Sequence, residues 1–477
     1  MTRYTPDAES LAAHSAPDWW RDAKLGVMIT WGLYSVPAYA PRGTDVVKLL
    51  AERPDDALKL TPYAEWYENS AKFDDGPTAQ QHRERFGDAP YTAFRHEFEA
   101  GLTQWSAEPM ISFIASIGAR YVVPVTKHHD SYCLWPTSFA NPLRGADWHA
   151  PRDLISEMAV AARIKNMRFG VYYSAGLDWT LNPEPIANLG EMRAALPSGD
   201  LARQMMRDHY RELIDATDPD ILWNDIGYPD AGDLWRLLAD YYNDREDRLI
   251  NDRFQLPTPA HAAMSDPAER AAFNRDIADA LRESGFAFAP DVPDVFDHRT
   301  PEYATSSTMG DTAWETVRGV GHSFGYKANE TADDFLTGDE LIAMFLRIVG
   351  HGGNLLINIG PRFDGSIPDE QAGPLRELGA FLRANGEAIY ASRPDRELSK
   401  QEICGTDVLP VRVGRRCFAL IAGSLPASIR LSGWASVSSV ASLEGQVLSC
   451  RREGDDLVLD IPAAQVGSPA IVLELLS

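Results

Sequence analysis

A chain of 477 residues, 44% hydrophobic and 24% charged, has the size and composition of a large globular domain with a smaller companion. Its formal net charge of -24 repels phosphate backbones and anionic lipid surfaces, which argues against nucleic-acid and membrane partners. No run of about 18 apolar residues could span a bilayer, and the four cysteines lack the Cys-x-x-Cys spacing of a zinc site or a disulfide framework.

No apolar stretch follows the opening Met1-Thr2-Arg3-Tyr4, so no signal peptide is read and a cytoplasmic location is expected. Residues 1–20 form a polar arm ending in Trp19-Trp20. The apolar run 24–30 predicts a first strand, ending at Trp31-Gly32. From 35 to 100 the periods are few and the aromatics many, the pattern of loops and short helices over a site mouth. Residues 105–117 place Met110, Phe113, Ile114 and Ile117 at helical spacing before Gly118. A strand at 121–126 runs into Lys127-His128-His129-Asp130. A helix at 153–167, a strand at 169–174 and a helix at 201–216 follow. The next apolar run, Ile221-Leu222-Trp223-Asn224-Asp225, carries an acid at its C-terminal end. A helix at 232–243 and a short strand at 248–251 continue an alternation that predicts a parallel sheet of βαβ units.

Residues 255–296 break this rhythm. Proline-rich edges enclose a helical stretch, 267–284, which predicts an inserted excursion. A helix at 334–350, a strand at 354–359 and a closing helix at 375–390 complete a (β/α)8-like TIM barrel over residues 1–392. Beyond it the segments 408–413, 417–421, 428–431, 437–443, 457–461 and 470–475 are short, alternating and separated by turns. They predict a C-terminal antiparallel β-sandwich over 393–477.

Several polar and aromatic groups fall just past different strand ends: Thr30, His128, His129, Tyr173, Asp225, Arg253 and Glu302. Each alone has an ordinary structural use, as an ion-pair partner or a satisfied core side chain. Catalytic groups of a barrel enzyme, however, sit at the C-terminal ends of its strands. A mouth lined with Trp, Tyr, His, Arg and carboxylate suits a sugar, whose C–H faces stack on rings and whose hydroxyls take hydrogen bonds. Two carboxylates then divide the work of a retaining glycosidase, a nucleophile and an acid/base about 5–5.5 Å apart.

The stretch Leu25-Gly26-Val27-Met28-Ile29-Thr30-Trp31-Gly32-Leu33-Tyr34-Ser35-Val36-Pro37-Ala38 resembles the opening signature of the α-L-fucosidases, glycoside hydrolase family 29. Glu65-Trp66-Tyr67, Lys127-His128-His129-Asp130, Tyr172-Tyr173-Ser174, Trp223-Asn224-Asp225, Asn251-Asp252-Arg253, Trp314-Glu315, Ser323-Phe324-Gly325-Tyr326 and the run from Gly353 to Pro361 follow in the family's order. The resemblance covers roughly residues 18–392. It implies a retaining exo-α-L-glycosidase with a barrel, a β-sandwich, no cofactor, no metal and a terminal α-L-linked carbohydrate as its partner; a homo-oligomer is compatible with it. Carried over by position, Asp225 is the nucleophile. Thr30, Glu65, Trp66, His128, His129, Tyr173, Trp223 and Arg253 line the sugar site, and Tyr63 with Phe324 forms the C6 pocket. Glu302 in Thr300-Pro301-Glu302-Tyr303 is the expected acid/base, with Glu315 as the alternative.

The sequence departs from the family at one edge of the sugar site. The family's first strand usually ends His-Trp-Gly, and that His contacts the sugar, including its C4 hydroxyl; here the position is Thr30. Two residues earlier, a Phe against the C6 methyl is common; here it is Met28. An α-L-glucoside or α-L-galactoside is therefore the alternative substrate. Two other classes compete with hydrolysis through Asp225: a metal-dependent hydrolase using His128, His129 and Asp225 as ligands, and a non-catalytic sugar-binding protein.

Overall fold

The structure is a computed structural model that describes residues 3–43, 45–284, 292–305, 312–403 and 405–476. Cys404, the Met1-Thr2 start and residues 285–291 of the inserted stretch lie outside the described residues.

Seven strands form one curled parallel sheet: β1 (Leu25–Ile29), β2 (Tyr121–Lys127), β3 (Arg168–Ser174), β4 (Ile221–Asp225), β5 (Leu249–Ile250), β6 (Glu315–Gly319) and β7 (Asn354–Ile359). They lie in the order β5-β4-β3-β2-β1-β7-β6. Strands β1, β2, β4 and β7 are buried along their whole length, as parallel strands covered on both faces must be. Side chains alternate between two cores. Met28, Val123, Val125, Tyr172, Trp223 and Leu356 fill the barrel interior. Val27, Ile29, Val122, Val171, Tyr173 and Leu222 face the surrounding helices.

The two sheet edges do not pair with each other. The stretch 297–303 runs between them instead. Asp297 N donates to Ile250 O at 3.2 Å, Arg299 N to Ala313 O at 2.9 Å, Val317 N to Pro301 O at 3.1 Å and Tyr303 N to Val317 O at 3.2 Å. This irregular segment occupies the eighth position of the barrel. It departs from a regular strand at Tyr303, which turns to φ 59°. Neither it nor β6 was marked by a periodic pattern in the sequence.

The helices used below are α1 (Val46–Glu52), α2 (Ala107–Ser116), α3 (Leu154–Ile164), α4 (Leu189–Ala194), α5 (Gly199–Thr217), α6 (Ala231–Asp244), α7 (Pro267–Ser284), α8 (Gly338–Gly350) and α9 (Asp369–Ile389). Asp153 caps α3 by accepting from Ser156 N at 2.9 Å. The helix expected from 334 starts at Gly338, because Thr337 and Glu340 form a capping box there. The helix expected from 375 starts at Asp369 and carries Pro374 inside it. Helix α7 is the inserted stretch, and it packs on α1 and α4. Among the described residues no helix is long and apolar enough to cross a membrane.

The C-terminal region pairs a six-stranded sheet with a three-stranded one. Val408, Ile421, Ile429, Leu459 and Leu473 fill the space between. The other face of the larger sheet, through Leu409, Val411, Phe418 and Leu420, joins the outer core of the barrel. Gly350 permits the approach, since a Cβ there would lie 2.5 Å from Leu409 Cβ.

A tight contact inside the barrel gives a stability test. A Cβ at Gly26 would lie 2.2 Å from the Tyr121 ring, which is itself fully buried. Gly26→Ala should lower stability by about 1–3 kcal/mol in chemical denaturation, the cost of overpacking a closed core. Unchanged stability would mean that β1 and β2 are not packed in this register.

Candidate active site

A cleft opens at the C-terminal ends of the strands. Thr30, Tyr63, Glu65, Trp66, His128, His129, Trp223, Asp225, Arg253, Glu302 and Phe324 all line it, so the fold brings together every residue expected at the site except Tyr173 and the alternative acid Glu315. Strand parity explains the placing of Trp223 and Asp225: with Ile221 they point inward, while Leu222 and Asn224 point outward. Asn224 fastens the end of β4 from behind. Its Nδ2 donates to Gly227 O at 2.9 Å and to Arg253 O at 2.7 Å, and Tyr210 Oη donates to its Oδ1 at 2.7 Å.

Arg253 joins the two acids. Nη1 donates to Asp225 Oδ1 at 2.9 Å and Nη2 to Glu302 Oε1 at 2.9 Å. Nε donates to Thr300 Oγ1 at 3.0 Å, and the guanidinium lies 4.7 Å from the centre of the Trp223 ring. Asp225 is completed by Tyr172, whose hydroxyl donates to Oδ2 at 2.7 Å. Burial pushes the Glu302 carboxyl above the ordinary glutamate range, against the pull of Arg253. An acid so raised is suited to holding a proton that it can give away.

The rest of the ring offers hydrogen bonds and aromatic faces. Glu65 Oε2 accepts from Gly325 N at 2.7 Å and from Ser323 Oγ at 3.3 Å, and burial pushes this carboxyl up to about 7. Burial holds His128 and His129 well below the ordinary histidine range, so both rings are neutral. His129 Nδ1 is paired with Ser174 Oγ at 2.7 Å, whereas His128 Nδ1 is buried with no partner among the described residues. Trp66 meets His129 edge-on at 5.2 Å, and Tyr63 meets Phe324 edge-on at 5.3 Å.

Tyr173 is not part of this ring. It sits on the outward face of β3, fully buried, with its hydroxyl paired to His209 Nδ1 at 2.9 Å. Its neighbour Tyr172 faces the cleft. The sequence carries a signal for this: Phe169, Val171 and Tyr173 make the apolar set of the alternation, and Gly170, Tyr172 and Ser174 the other. Glu315 is likewise outside the cleft. It is buried beneath it, accepting from Tyr121 Oη at 2.6 Å and Trp223 Nε1 at 3.1 Å, with His298 Nε2 at 3.2 Å. Among the described residues no three His, Cys, Asp or Glu side chains are grouped to hold a metal ion. The sequence reading also missed Val46, Leu50, Leu58, Leu189, Met192 and Ile226, apolar side chains that line the same cleft.

Barrel, C-terminal sheets and a carbohydrate-type cleft with two acids define a glycoside hydrolase. Comparison with known proteins agrees. A family model described as alpha-L-fucosidase matches residues 1–387. The human tissue alpha-L-fucosidase is 27% identical over 401 residues, 82% of this chain and 73% of that protein. The crystal structure of Thermotoga maritima alpha-fucosidase with a mechanism-based inhibitor is 33% identical, with a TM-score of 0.82 over 100% of both chains. The same enzyme in complex with fucose gives a TM-score of 0.81 over 99% of this chain and 100% of that one. The chain belongs to the alpha-L-fucosidase family, whose members hydrolyse α-L-fucosides.

The two adjacent tyrosines give a direct check on the site. Tyr172→Phe removes a hydrogen bond to a carboxylate and should lower kcat/KM on an aryl α-L-fucoside by roughly 10- to 100-fold. Tyr173→Phe should leave kcat/KM nearly unchanged and appear in the melting temperature instead. The opposite ranking would place the wrong face of β3 in the cleft.

Proposed function

We propose that this protein is a retaining exo-α-L-glycosidase that releases a terminal α-L-fucosyl group by double displacement. The observation that carries the reading is the single guanidinium, Arg253, hydrogen-bonded to both Asp225 and Glu302. It keeps the two acids within one fork of each other, compatible with the roughly 5–5.5 Å that a covalent intermediate requires. Asp225 attacks the anomeric carbon as the bond to the aglycone oxygen breaks, and Glu302 gives its proton to that oxygen. Water then attacks the glycosyl ester. Glu302 takes the water's proton, and Asp225 leaves as a carboxylate.

A second reading concerns the sugar, and Thr30 supports it. Asn358 Nδ2 donates to Phe324 O at 2.7 Å, which fixes the orientation of that amide. Oδ1 therefore faces Thr30, and Thr30 Oγ1 donates to it at 2.6 Å. The hydroxyl proton is committed, so Thr30 offers the sugar lone pairs alone, over a shorter reach than the histidine implied by the family's pattern. Met28 supplies a flexible thioether beside it. On this reading the same machinery acts on an L-sugar altered at C4 or C6, such as an α-L-glucoside or α-L-galactoside.

Asp225→Gly should lower kcat by at least about a thousandfold, and added azide should restore turnover of an aryl glycoside with the β-L-glycosyl azide as product. Hydrolysis that survives this change would sink the nucleophile assignment. The rate of the wild-type enzyme should fall as pH rises through the Glu302 pKa, because the acid must be protonated. Since burial raises that pKa, the alkaline limb should lie above the ordinary glutamate range. Glu302→Gln should remove the limb and spare activated aryl leaving groups; a limb that persists would assign the proton to another group.

Matched 4-nitrophenyl α-L-fucoside, α-L-glucoside and α-L-galactoside decide the sugar. A clear preference for the fucoside, unmoved by Thr30→His, would remove the altered-pocket reading.

A further inference from the structure

The carboxylates, histidines and Arg253 share the cleft with a cluster of apolar side chains that also holds Tyr63 and Trp66. Six of the cluster's aliphatic side chains reach the cleft: Val46 and Leu50 from α1, Leu58 just beyond it, Leu189 and Met192 from α4, and Ile226 immediately after Asp225. These six line the same cavity as the two acids, so whatever leaves the anomeric carbon on this side meets them. Behind them stands the inserted helix α7, whose Phe273, Ile277 and Leu281 complete the cluster. The contact is close: a Cβ at Gly190 would lie 3.0 Å from Arg270 Cβ, and Gly190 N donates to Asn274 Oδ1 at 2.9 Å.

Ile226 carries independent weight. It sits at φ 66°, a left-handed conformation that β-branched residues nearly always avoid. Gly176 makes room for it, since a Cβ there would lie 2.3 Å from the Ile226 carbonyl carbon. A glycine at 226 would take this backbone without strain. The chain instead keeps a branched apolar side chain aimed into the cleft, and leaves it, with Val46 and Met192, partly exposed. Strain held at a ligand site is a mark of use.

We propose that these six side chains form an aglycone subsite for an apolar chain or ring, so that the leaving group is a hydrophobic alcohol and not a second sugar. The proposal rests on the glycosidase reading above. A second sugar would turn most of its hydroxyls toward these six side chains, which cannot pair them. The inserted helix then has a task, to hold α1 and α4 as one surface.

The test compares methyl and hexyl α-L-glycosides of the sugar preferred in the aryl panel, whose alcohols differ little as leaving groups. Each buried methylene is worth a factor of about four, so kcat/KM for the hexyl glycoside should exceed that for the methyl by at least about tenfold. Val46→Ser, Met192→Ser and Ile226→Gly, measured separately, should each bring that ratio toward one. A ratio near one in the active wild-type enzyme, or a fucosyl disaccharide cleaved faster than the hexyl glycoside, overturns the subsite and leaves the glycosidase reading standing. So does a wall buried between two copies, seen as a dimer that Val46→Ser dissociates. Inactivity toward every aryl α-L-glycoside overturns the glycosidase reading and takes the subsite with it.

Discussion

Two carboxylates facing one cleft repel each other, and the fold resolves this with one cation. Arg253 is planar, permanently charged and forked, so a single side chain can serve Asp225 and Glu302 through different nitrogens. Both acids and the arginine are nearly buried. Charges in such a place are tolerated when paired and hydrogen-bonded, and become costly when a partner is removed. The rest of the site follows from keeping this triplet in place.

Its supports come from three neighbouring positions of the barrel. Asn224 holds the backbone of Arg253 and ties β4 to the chain that follows β5. Asp252 Oδ1 accepts from Thr300 Oγ1 at 2.6 Å and from Thr300 N at 3.1 Å, and Thr300 in turn accepts from Arg253. The segment that bears Glu302 is the irregular eighth position. Its departure from a regular strand has a use: Pro301 and the left-handed Tyr303 bend the chain around Glu302, so that its carboxylate reaches an arginine delivered from beyond the opposite edge. A barrel closed by a regular strand would not present the acid in this way.

How much of this was legible in the sequence depends on the kind of signal each part leaves. The buried strands and amphipathic helices were legible because burial imposes a period, and Asp225 because an acid ending an apolar run has few ordinary reasons to be there. Arg253 and Glu302 were legible as motifs in order, not as partners, since their meeting is made by the segment that lacks a period. Tyr172 was misplaced by one residue because two adjacent tyrosines share one motif, and only the alternation of β3 separates them. The apolar wall left no mark at all. Val46, Leu189 and Ile226 look like ordinary core residues until the fold sets them beside a carboxylate. Ile226 is the sharper case, because its φ is a property of the backbone and not of the residue type.

The same geometry separates the reaction from the choice of substrate. Asp225, Arg253 and Glu302 hang from β4, the chain after β5 and the eighth position. Met28 lies on β1 and Thr30 directly follows it, and β2 and β3 stand between that strand and β4 in the sheet. The apolar wall comes mainly from α1 and α4 with α7 behind them, elements outside the sheet. Among the described residues Thr30 makes no hydrogen bond to this triplet; its partner is Asn358 on β7. If Met28 and Thr30 meet the sugar and the apolar cluster meets the leaving group, as proposed, changes at either can alter what is bound while Arg253 keeps its two acids. Selectivity built from hydroxyl pairing on one side and apolar burial on the other draws on different energies, and each can be tuned without spending the other. On the readings proposed above, either edge can change while the Arg253 pairing is kept, because neither the Thr30–Asn358 bond nor the apolar cluster includes a member of that triplet.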